Sequence, residues 1–327
     1  MTLRMVAEKA GVAVDTVRKV VRGDPTVRPY IRQRVQKVIG ETGYRPNLVA
    51  RALRQSHLDL VPLSIMSIDQ PYFGRIARRM SELIVDWGAE PALCLDSQHL
   101  MTLCRSYSTR GCVSANHIGE ADLLALARTQ SVVVVNQEIP QIQGVSEVAV
   151  DFSSAYRELA SAIVDRGRRR IAIISQYYLE AGRRGWPRQK FPAVFDVLSS
   201  LGLATVGPEP GHVFASAEEF GAWLKRHPGG ADAALCENDI AGAVVVGELA
   251  RLGLTTPQDL LVVGCDADLP VPGMWSVSPD TGAIAAHAIS LLRAMIEDGA
   301  PGERVVHVPE VLDDSGNPIN TPFRTAS

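Results

Sequence analysis

The sequence has no uninterrupted stretch of the roughly 18 apolar residues that a membrane-spanning helix needs. Its first residues also lack the apolar core of an export signal, because Arg4, Glu8 and Lys9 interrupt them. The five cysteines are scattered and form neither a C-x-x-C pair nor a metal-ligand spacing. We therefore expect a cytoplasmic protein without disulfides, rather than a membrane protein or an exported binding protein. The cysteines expected to be buried structural thiols are those in apolar runs, Cys94, Cys236 and Cys265.

Catalytic motifs are missing as well. The sequence contains no G-x-S-x-G, no H-E-x-x-H, no P-loop and no G-x-G-x-x-G after a strand. The seven histidines have no paired metal-ligand spacing, and no two carboxylates form a defensible acid–base pair. We therefore expect no enzyme activity, no metal and no cofactor. An α/β enzyme that processes sugars or nucleotides stays open as an alternative, but it would rest on the fold alone, and fold does not determine function.

Charge is distributed unevenly along the 327 residues. The chain has a formal net charge of −3, but residues 1–55 contain twelve Lys and Arg against four Asp and Glu, a net of +8. The remainder therefore carries −11. A small basic head on an acidic body predicts a nucleic-acid-binding module attached to a domain with another task.

Apolar spacing in the head predicts three helices. Thr2 can cap the first, and Gly11 ends it with the left-handed conformation that a tight turn requires. A second helix follows over about 14–21, and a third runs from about Pro29 to Glu41. The first two form a helix-turn-helix. The predicted inward-facing side chains are Leu3, Val6, Ala7, Ala10, Val17, Val20, Val21, Ile31, Val35, Val38 and Ile39.

The second helix is expected to enter the major groove of DNA with its first turn nearest the base edges. That position favours Val14 and Asp15 as base readers, while Thr16 and Arg22 suit phosphate contacts. Asp15 also has an alternative role, because a carboxylate stabilises a helix N-terminus. The predicted DNA contacts on this helix are Val14, Asp15, Thr16, Arg18, Lys19 and Arg22.

Residues 46–54 are expected to form a short hinge helix capped by Asn47. A helix of about seven residues is marginal alone, so a partner copy and a DNA groove would have to support it. Leu53 is an apolar side chain on a basic segment, which suits a wedge in the minor groove; alternatively it packs against the body. The predicted DNA contacts in this segment are Asn47, Ala50 and Leu53.

From about residue 60 onward, apolar strand-like runs alternate with amphipathic helices. This alternation predicts an α/β domain with parallel sheets, and about 260 residues suggest two lobes. Residues 97–120 have no clear pattern. The predicted strands are 61–68, 91–96, 131–136, 170–175, 233–238 and 259–266, and the predicted helices are Tyr72–Trp87, Ala155–Arg166, Phe191–Ser200 and Ile240–Leu252.

Polar and aromatic residues follow several of these strands. Ligands in such folds bind beyond the carboxyl ends of the strands, here in the crevice between lobes. Polar groups with aromatic walls suit a sugar or a similar polar small molecule. Asp239 is expected to be structural, because strand-end carboxylates commonly cap the next helix. The predicted ligand contacts from position alone are Tyr72, Phe73, Asn136, Asn238 and Asp266.

Two segments of the head carry a family resemblance. VAEKAGVAVDTVRKVV (6–21) and YRPNLVARALR (44–54) resemble the LacI/GalR (lactose-repressor) family of bacterial transcription regulators in order and spacing. In the body, VDFSSAYRELASAIVDRGRRRIAIIS (150–175) and PQDLLVVGCDADLP (257–270) resemble its regulatory domain, which is similar to periplasmic sugar-binding proteins. The chain departs from the family's usual pattern at several positions. The family commonly has serine where Ala13 and Arg18 stand, arginine where Lys19 stands and asparagine where Phe152 stands.

The resemblance implies a helix-turn-helix domain over 1–45, a hinge helix and linker over 46–59, and an effector-binding and dimerisation domain over 60–327. It further implies lobes of about 60–149 with 282–309 and of about 150–281 with 310–327. The implied partners are a near-palindromic operator, a second copy of the chain and a sugar-like effector. The departures leave an atypical effector, or none, as an alternative, and inducer and co-repressor logic both stay open. By position, the resemblance implies effector contacts at Arg188, Asn238 and Asp266.

Overall fold

The computed structural model describes residues 2–21, 23–44, 59–137, 139–176 and 190–319. Its head contains helices α1 (Leu3–Ala10), α2 (Val14–Val21) and α3 (Pro29–Thr42). The hydroxyl of Thr2 accepts a hydrogen bond from the Met5 amide at 3.3 Å, which caps α1. Gly11 has a φ of 58°, so the predicted left-handed turn between the first two helices is confirmed.

The three helices of the head enclose a small apolar core. Its half-buried margin includes Leu3, Ile31 and Ile39. Val21 was expected to face inward, and this prediction is wrong: the side chain is 37% exposed. Val21 lies about 100° around the helix from Val20, at the margin of the buried face. The buried members of this core are Val6, Ala7, Ala10, Val17, Val20, Val27, Val35, Val38 and Tyr44.

The body contains two six-stranded sheets. The first has the order β11-β5-β4-β3-β1-β2 with all neighbours parallel. The second has the order β12-β10-β9-β8-β6-β7, in which β12 runs antiparallel to β10. The strands are β1 Leu60–Ile65, β2 Glu90–Cys94, β3 Gly111–Ala115, β4 Ser131–Val135, β5 Val145–Val150, β6 Arg170–Ile174, β7 Ala204–Thr205, β8 Ala233–Cys236, β9 Leu261–Cys265, β10 Trp275–Ser278, β11 Arg304–His307 and β12 Glu310–Leu312.

Helices cover both faces of each sheet, as parallel sheets require. In what we call lobe 1, α4 and α11 pack on one face of β1–β5 and β11, and α5 and α6 on the other. In lobe 2, α7 and α8 face α9 and α10 across β6–β10 and β12. These helices are α4 Pro71–Trp87, α5 Ser97–Tyr107, α6 Glu120–Ala127, α7 Phe152–Asp165, α8 Lys190–Ser200, α9 Ala217–Arg226, α10 Asp239–Arg251 and α11 Thr281–Glu297.

The predicted fold class, a helical head followed by a two-lobed α/β body with parallel sheets, is confirmed. The chain passes from lobe 1 to lobe 2 after β5, returns after β10 and passes again after β11. The segment without a clear pattern, 97–120, holds α5, β3 and the start of α6. All five cysteines are buried, as predicted for three of them. Within the described part of the chain, each helix is too short or too polar to cross a membrane.

Candidate functional site

The exposed face of α2 carries the side chains predicted to contact DNA. Asp15, Arg18 and Lys19 are exposed, whereas Thr16 is half-buried. Val14 is also half-buried and packs against the core of the head, so part of its surface serves packing. The side of α2 that is open to solvent therefore presents one carboxylate and two cations, a pattern suited to both base edges and phosphates.

Asp15 and Arg18 lie one helical turn apart on that face. Arg18 Nη1 is 3.3 Å from Asp15 Oδ1, and both side chains are largely in water. An exposed pair of this kind is worth about 0–1 kcal/mol, so it can rearrange when either partner meets DNA. Asp15 also lies in the first turn of α2, where its charge stabilises the helix N-terminus. Both roles predicted for Asp15 are compatible with this geometry.

Polar contacts from α3 fix the orientation of α2. Arg34 Nη2 donates to the Gly11 carbonyl at 3.2 Å, which ties α3 to the turn before α2. Arg32 Nη2 donates to the Asp24 carbonyl at 2.6 Å, which ties α3 to the loop after α2. Asp24 in turn accepts from the Thr26 hydroxyl and amide, and these bonds lower the pKa of the Asp24 carboxyl. α2 is therefore held at both ends.

Some predicted contact residues lie outside the part of the chain that the structure describes. In the DNA-binding part these are Arg22, Asn47, Ala50 and Leu53. In the effector-binding part, the same applies to Arg188. Their roles stay predictions from the sequence.

The aromatic pair predicted to line the cleft begins α4, after β1. The rings of Tyr72 and Phe73 meet edge to face with centroids 5.1 Å apart. Both are more than nine-tenths buried and belong to the lobe 1 core with Ile76 and Met80. Most of the surface of both rings therefore packs against the core, and only the ring edges are left for a ligand to contact.

Asn136 follows β4 of lobe 1 and Asp266 follows β9 of lobe 2, and both have left-handed backbone conformations. Their φ angles are 56° and 93°, a region that residues other than glycine rarely adopt. Their amides still continue the sheets, because Asn136 N donates to Val148 O and Asp266 N donates to Val277 O, each at 2.8 Å. The chain turns sharply immediately afterwards. Both side chains therefore stand at the carboxyl edge of a sheet.

Asn238 and Asp239 begin α10 after β8. Asn238 Oδ1 accepts from the Ala241 amide at 2.9 Å and so caps the helix. Asp239 is fully buried and accepts from the Asp268 amide at 2.6 Å and from the Ser276 hydroxyl at 2.8 Å. Burial raises the pKa of Asp239, and these hydrogen bonds oppose the rise. Asp239 is therefore structural, as predicted, but it holds the turn after β9, and the helix cap expected of it is provided by Asn238.

Two residues that the sequence reasoning missed connect the lobes. Arg75, on the first turns of α4, donates from Nη2 to the Asp266 carbonyl at 2.6 Å and pairs with the Asp268 carboxylate. The contact joins residues 191 positions apart, so no local pattern reveals it. The available signals were the position of Arg75 one turn after Tyr72 and the repeated carboxylates at 266 and 268.

Comparisons with known proteins agree with this architecture. Residues 2–47 match the family model described as bacterial regulatory proteins, lacI family, and residues 160–313 match one described as periplasmic binding protein-like domain. Catabolite control protein A of Priestia megaterium is 24% identical over 96% of this chain and 98% of its own length.

Two solved structures share the fold over nearly the whole chain. The lac repressor dimer bound to operator and the anti-inducer ONPF has a TM-score of 0.71 and 16% identity, covering 95% of this chain and 97% of that one. The complex of the transcriptional regulator CelR with cellobiose has a TM-score of 0.62 and 23% identity, covering 97% of this chain and 100% of that one.

The two family models match the head and the body of the chain in the order that the resemblance implied. A helix-turn-helix of the lacI family occupies the basic head, and a periplasmic-binding-protein-like domain occupies most of the body. The relative that spans nearly the full length is itself a regulator by name. The chain belongs to the LacI family of bacterial regulatory proteins and is a DNA-binding transcriptional regulator.

Proposed function

We propose that the chain is a cytoplasmic repressor, not an enzyme, that binds a near-palindromic operator as a homodimer. A polar, sugar-like ligand in the cleft between the lobes would modulate its affinity for the operator. The proposed domains are the helix-turn-helix over 1–45, the hinge over 46–59 and the effector-binding domain over 60–327. The observation that carries the proposal is the solvent-facing, cationic surface of a helix-turn-helix on a net-acidic, two-lobed body.

The head supports sequence-specific binding. The exposed groups on α2 include both a carboxylate, Asp15, which can accept from cytosine N4, and cations, Arg18 and Lys19, which can donate to guanine. Two copies would place two such helices in successive major grooves, so half-sites one helical turn or a multiple apart are expected. The lac repressor, which shares the fold, was solved as a dimer bound to operator.

Dimerisation is supported by apolar side chains left in water. Leu93 and Leu95 are exposed on and just after the edge strand β2, and Ile240 and Val244 are exposed on α10. Edge strands with exposed apolar residues are usually covered in soluble proteins. A second copy of the chain would cover these side chains.

A polar, uncharged ligand suits the cleft. The side chains at the carboxyl edges of the sheets include Asn136, Asn238 and Asp266, with the margins of the Tyr72 and Phe73 rings nearby. Amides and a carboxylate hydrogen-bond sugar hydroxyls, and aromatic edges pack against sugar rings. CelR, which shares the fold, was solved with cellobiose. The proposed contacts are Tyr72, Phe73, Asn136, Arg188, Asn238 and Asp266.

The ligand would act through the hinge. Closing or opening the cleft moves lobe 1, from which the chain leads back to residues 46–54. A helix that short forms only with support. A change in the distance between lobe 1 of one protomer and lobe 1 of its partner would therefore decide whether the paired hinges fold and insert Leu53. The ligand acts by its different affinity for the two lobe arrangements. Either inducer or co-repressor logic follows from the same device.

The test is a selection of bound fragments from the genome of the source organism. The full-length protein is mixed with sheared genomic DNA and excess competitor, and retained fragments are sequenced. We expect enrichment of fragments that share a near-palindrome, and loss of that enrichment with Leu53→Ala. Retention of fragments without any shared sequence would contradict the proposal.

An atypical effector is the second candidate, favoured by the burial of both aromatic rings and by Phe152 at a position where the family usually has asparagine. Melting curves distinguish a sugar effector from an atypical one. They are recorded with a panel of nucleosides and of mono- and disaccharides, including cellobiose and lactose. A rise in melting temperature with a sugar supports the first candidate. No shift across the panel supports an effector of other chemistry or a protein partner.

A further inference from the structure

The contact between the lobes at Arg75 is made entirely by one cation reaching across. Arg75 lies on α4 of lobe 1, and both of its partners lie on the turn after β9 of lobe 2. Its Nη2 donates to the Asp266 carbonyl at 2.6 Å and also contacts the Asp268 carboxylate. The Asp268 side chain is only 5% exposed, while that of Arg75 is 39% exposed. The contact exists only while the lobes hold this arrangement.

The turn that Arg75 covers is acidic and buried. The pKa of Asp268 is raised to about 6, chiefly by burial and also by the charges of Asp266 and Asp239, while Arg75 opposes the rise. The turn is also fixed in place, because Asp239 accepts hydrogen bonds from the amides of Asp268 and Leu269. Lobe 2 therefore places the Asp268 carboxylate on a turn that the buried Asp239 holds, and lobe 1 supplies the cation that faces it.

Two kinds of contact give Arg75 control over geometry as well as charge. The bond to the Asp266 carbonyl holds a residue whose φ of 93° is unfavourable for a side chain with a Cβ. The pair with Asp268 offsets the burial of that carboxylate. For buried ion pairs, removing one partner is far more disruptive than removing both, because a lone buried charge is left behind.

We propose that Arg75 is the positioning residue of the cleft: from lobe 1 it holds the Asp266–Asp268 turn of lobe 2, so that lobe closure and the placement of Asp266 are a single event. Where this concerns effector response, it rests on the proposed function. Without the Arg75 guanidinium, closing the lobes buries the Asp268 carboxylate beside two others with no cation from lobe 1. The closed arrangement is then disfavoured, with or without a ligand.

The same helix supplies a matched control. Arg79 is one turn further along α4, and its Nη1 pairs with Glu82 at 3.2 Å on the same helix. It is therefore an arginine of α4 that makes an intrahelical pair instead of an inter-lobe one. Replacing it removes the same charge from lobe 1 and leaves the contact with lobe 2 in place.

The test is hydrogen exchange with mass spectrometry on the full-length protein, without DNA or added ligand. We expect Arg75→Ala to raise exchange about tenfold or more in peptides that cover 265–271 and the start of α4, and Arg79→Ala to leave both at the native rate. Adding Asp268→Asn to Arg75→Ala should restore most of the protection, because a neutral side chain no longer needs the cation.

That rescue separates the proposed role from a packing role. If Arg75 served only to fill space, the second substitution would leave exchange high, and this result would overturn the proposal, as would native exchange in Arg75→Ala alone. Should Arg75→Ala not fold, Arg75→Lys replaces it: one ammonium keeps the charge but lacks the planar fork, so intermediate exchange is expected and native exchange contradicts the proposal.

The experiment is independent of the operator selection. A native pattern in Arg75→Ala together with an enriched palindrome would overturn the role of Arg75 and leave the regulator intact. The expected exchange pattern without any enriched sequence would overturn the proposed function and leave the inter-lobe contact standing.

Discussion

Asp232 illustrates how a single carboxylate joins two strands of lobe 2. It accepts hydrogen bonds from the amides of Arg169 and Arg170 at 2.9 Å, and from the Arg170 guanidinium at 2.6 Å. Burial alone would raise the pKa of Asp232, but the bonds from Arg170 and the two amides outweigh it and lower the pKa to about 2. The folded state therefore favours the ionised form.

We predict that Asp232→Ala lowers the free energy of unfolding by about 2 kcal/mol at pH 7. Because the pKa of Asp232 is lowered on folding, its contribution is complete above the unfolded value of 3.8 and is lost as pH falls towards about 2. Urea unfolding at pH 7 and at acid pH measures the difference. Asp165→Ala, an exposed carboxylate on α7, is the control and should match the native protein at both pH values.

Gly264 is required by the approach of α10 to β9. A Cβ built on Gly264 would lie 3.0 Å from the Cα of Asp239 and would collide with the Asp239 carboxylate. Since that carboxylate holds the turn at Asp268, the collision would disturb the cleft as well as the core.

We therefore predict that Gly264→Ala destabilises the protein by about 1–3 kcal/mol, the usual range for overpacking. Gly247 on the exposed side of α10 has nothing within 4 Å of a built Cβ. Gly247→Ala should raise stability by about 0.5–1 kcal/mol, because alanine favours a helix interior. Thermal melting compares the two variants. Equal changes in melting temperature would show that the close contact between Gly264 and Asp239 does not limit stability.

Individual site residues were predictable where they follow a strand in the sequence. The places of Asn136, Asn238 and Asp266 after strands were predicted correctly, because a strand end is visible as the end of an apolar run; their contact with a ligand stays a prediction. Arg75 and Asp268 were not found, because their contact depends on how two lobes meet. The half-burial of Val14 was also not predicted, since one face of a short helix can serve both the core and DNA.

At the scale of elements, substitutions on α2 test the proposed specificity for DNA. Lys19 is exposed on α2, and Lys37 is exposed on α3, where its Nζ lies 3.9 Å from Glu41. We predict that Lys19→Ala weakens binding to the selected operator by roughly 10- to 100-fold, the effect of losing one good base or phosphate contact.

Lys37→Ala removes the same charge from the head and should change affinity by only a few-fold. Fluorescence anisotropy with a labelled operator measures both variants. If the two substitutions weaken binding equally, α2 contributes no more than general electrostatic attraction, and its assignment as the reading helix is wrong.

Element boundaries show which local signals are strong. The caps of α1 and the run of valines in β4 were read correctly. α7 begins at Phe152, three residues before the predicted start, because Asp151 caps it by accepting from the Ser153 and Ser154 amides. The strands β3, β5, β7 and β10–β12 were missed, since brief or mixed runs such as 145–150 and 304–307 do not stand out as apolar stretches.

At the scale of the whole molecule, lobe 1 is completed by parts that follow lobe 2 in the chain. α11 packs against α4 through Ile284, Ala288 and Leu292, and β11 pairs with β5 at the edge of the sheet. Three connections therefore link the lobes. No local sequence pattern encodes this topology, because strands such as β5 and β11 pair across more than 150 positions of the chain.

The proposed dimer gives a further prediction. Val244→Glu places a charge on the exposed apolar face of α10 and should shift the protein from dimer to monomer in sedimentation at micromolar concentration. Leu124→Glu on α6 changes a similarly exposed apolar side chain that lies on neither an edge strand nor α10, and it should leave the dimer intact. Dissociation by Leu124→Glu but not by Val244→Glu would place the interface at α6 instead.

The most direct test of the central claim, sequence-specific DNA binding by the head, is the ratio of two dissociation constants. The affinity of the native protein for its selected fragment is compared with that for the same bases in scrambled order, at physiological salt. We predict a preference of about 1,000-fold or more for the selected fragment, the range of specific DNA-binding proteins. Equal affinities that fall together as salt rises would contradict the claim, because they are the signature of charge attraction alone.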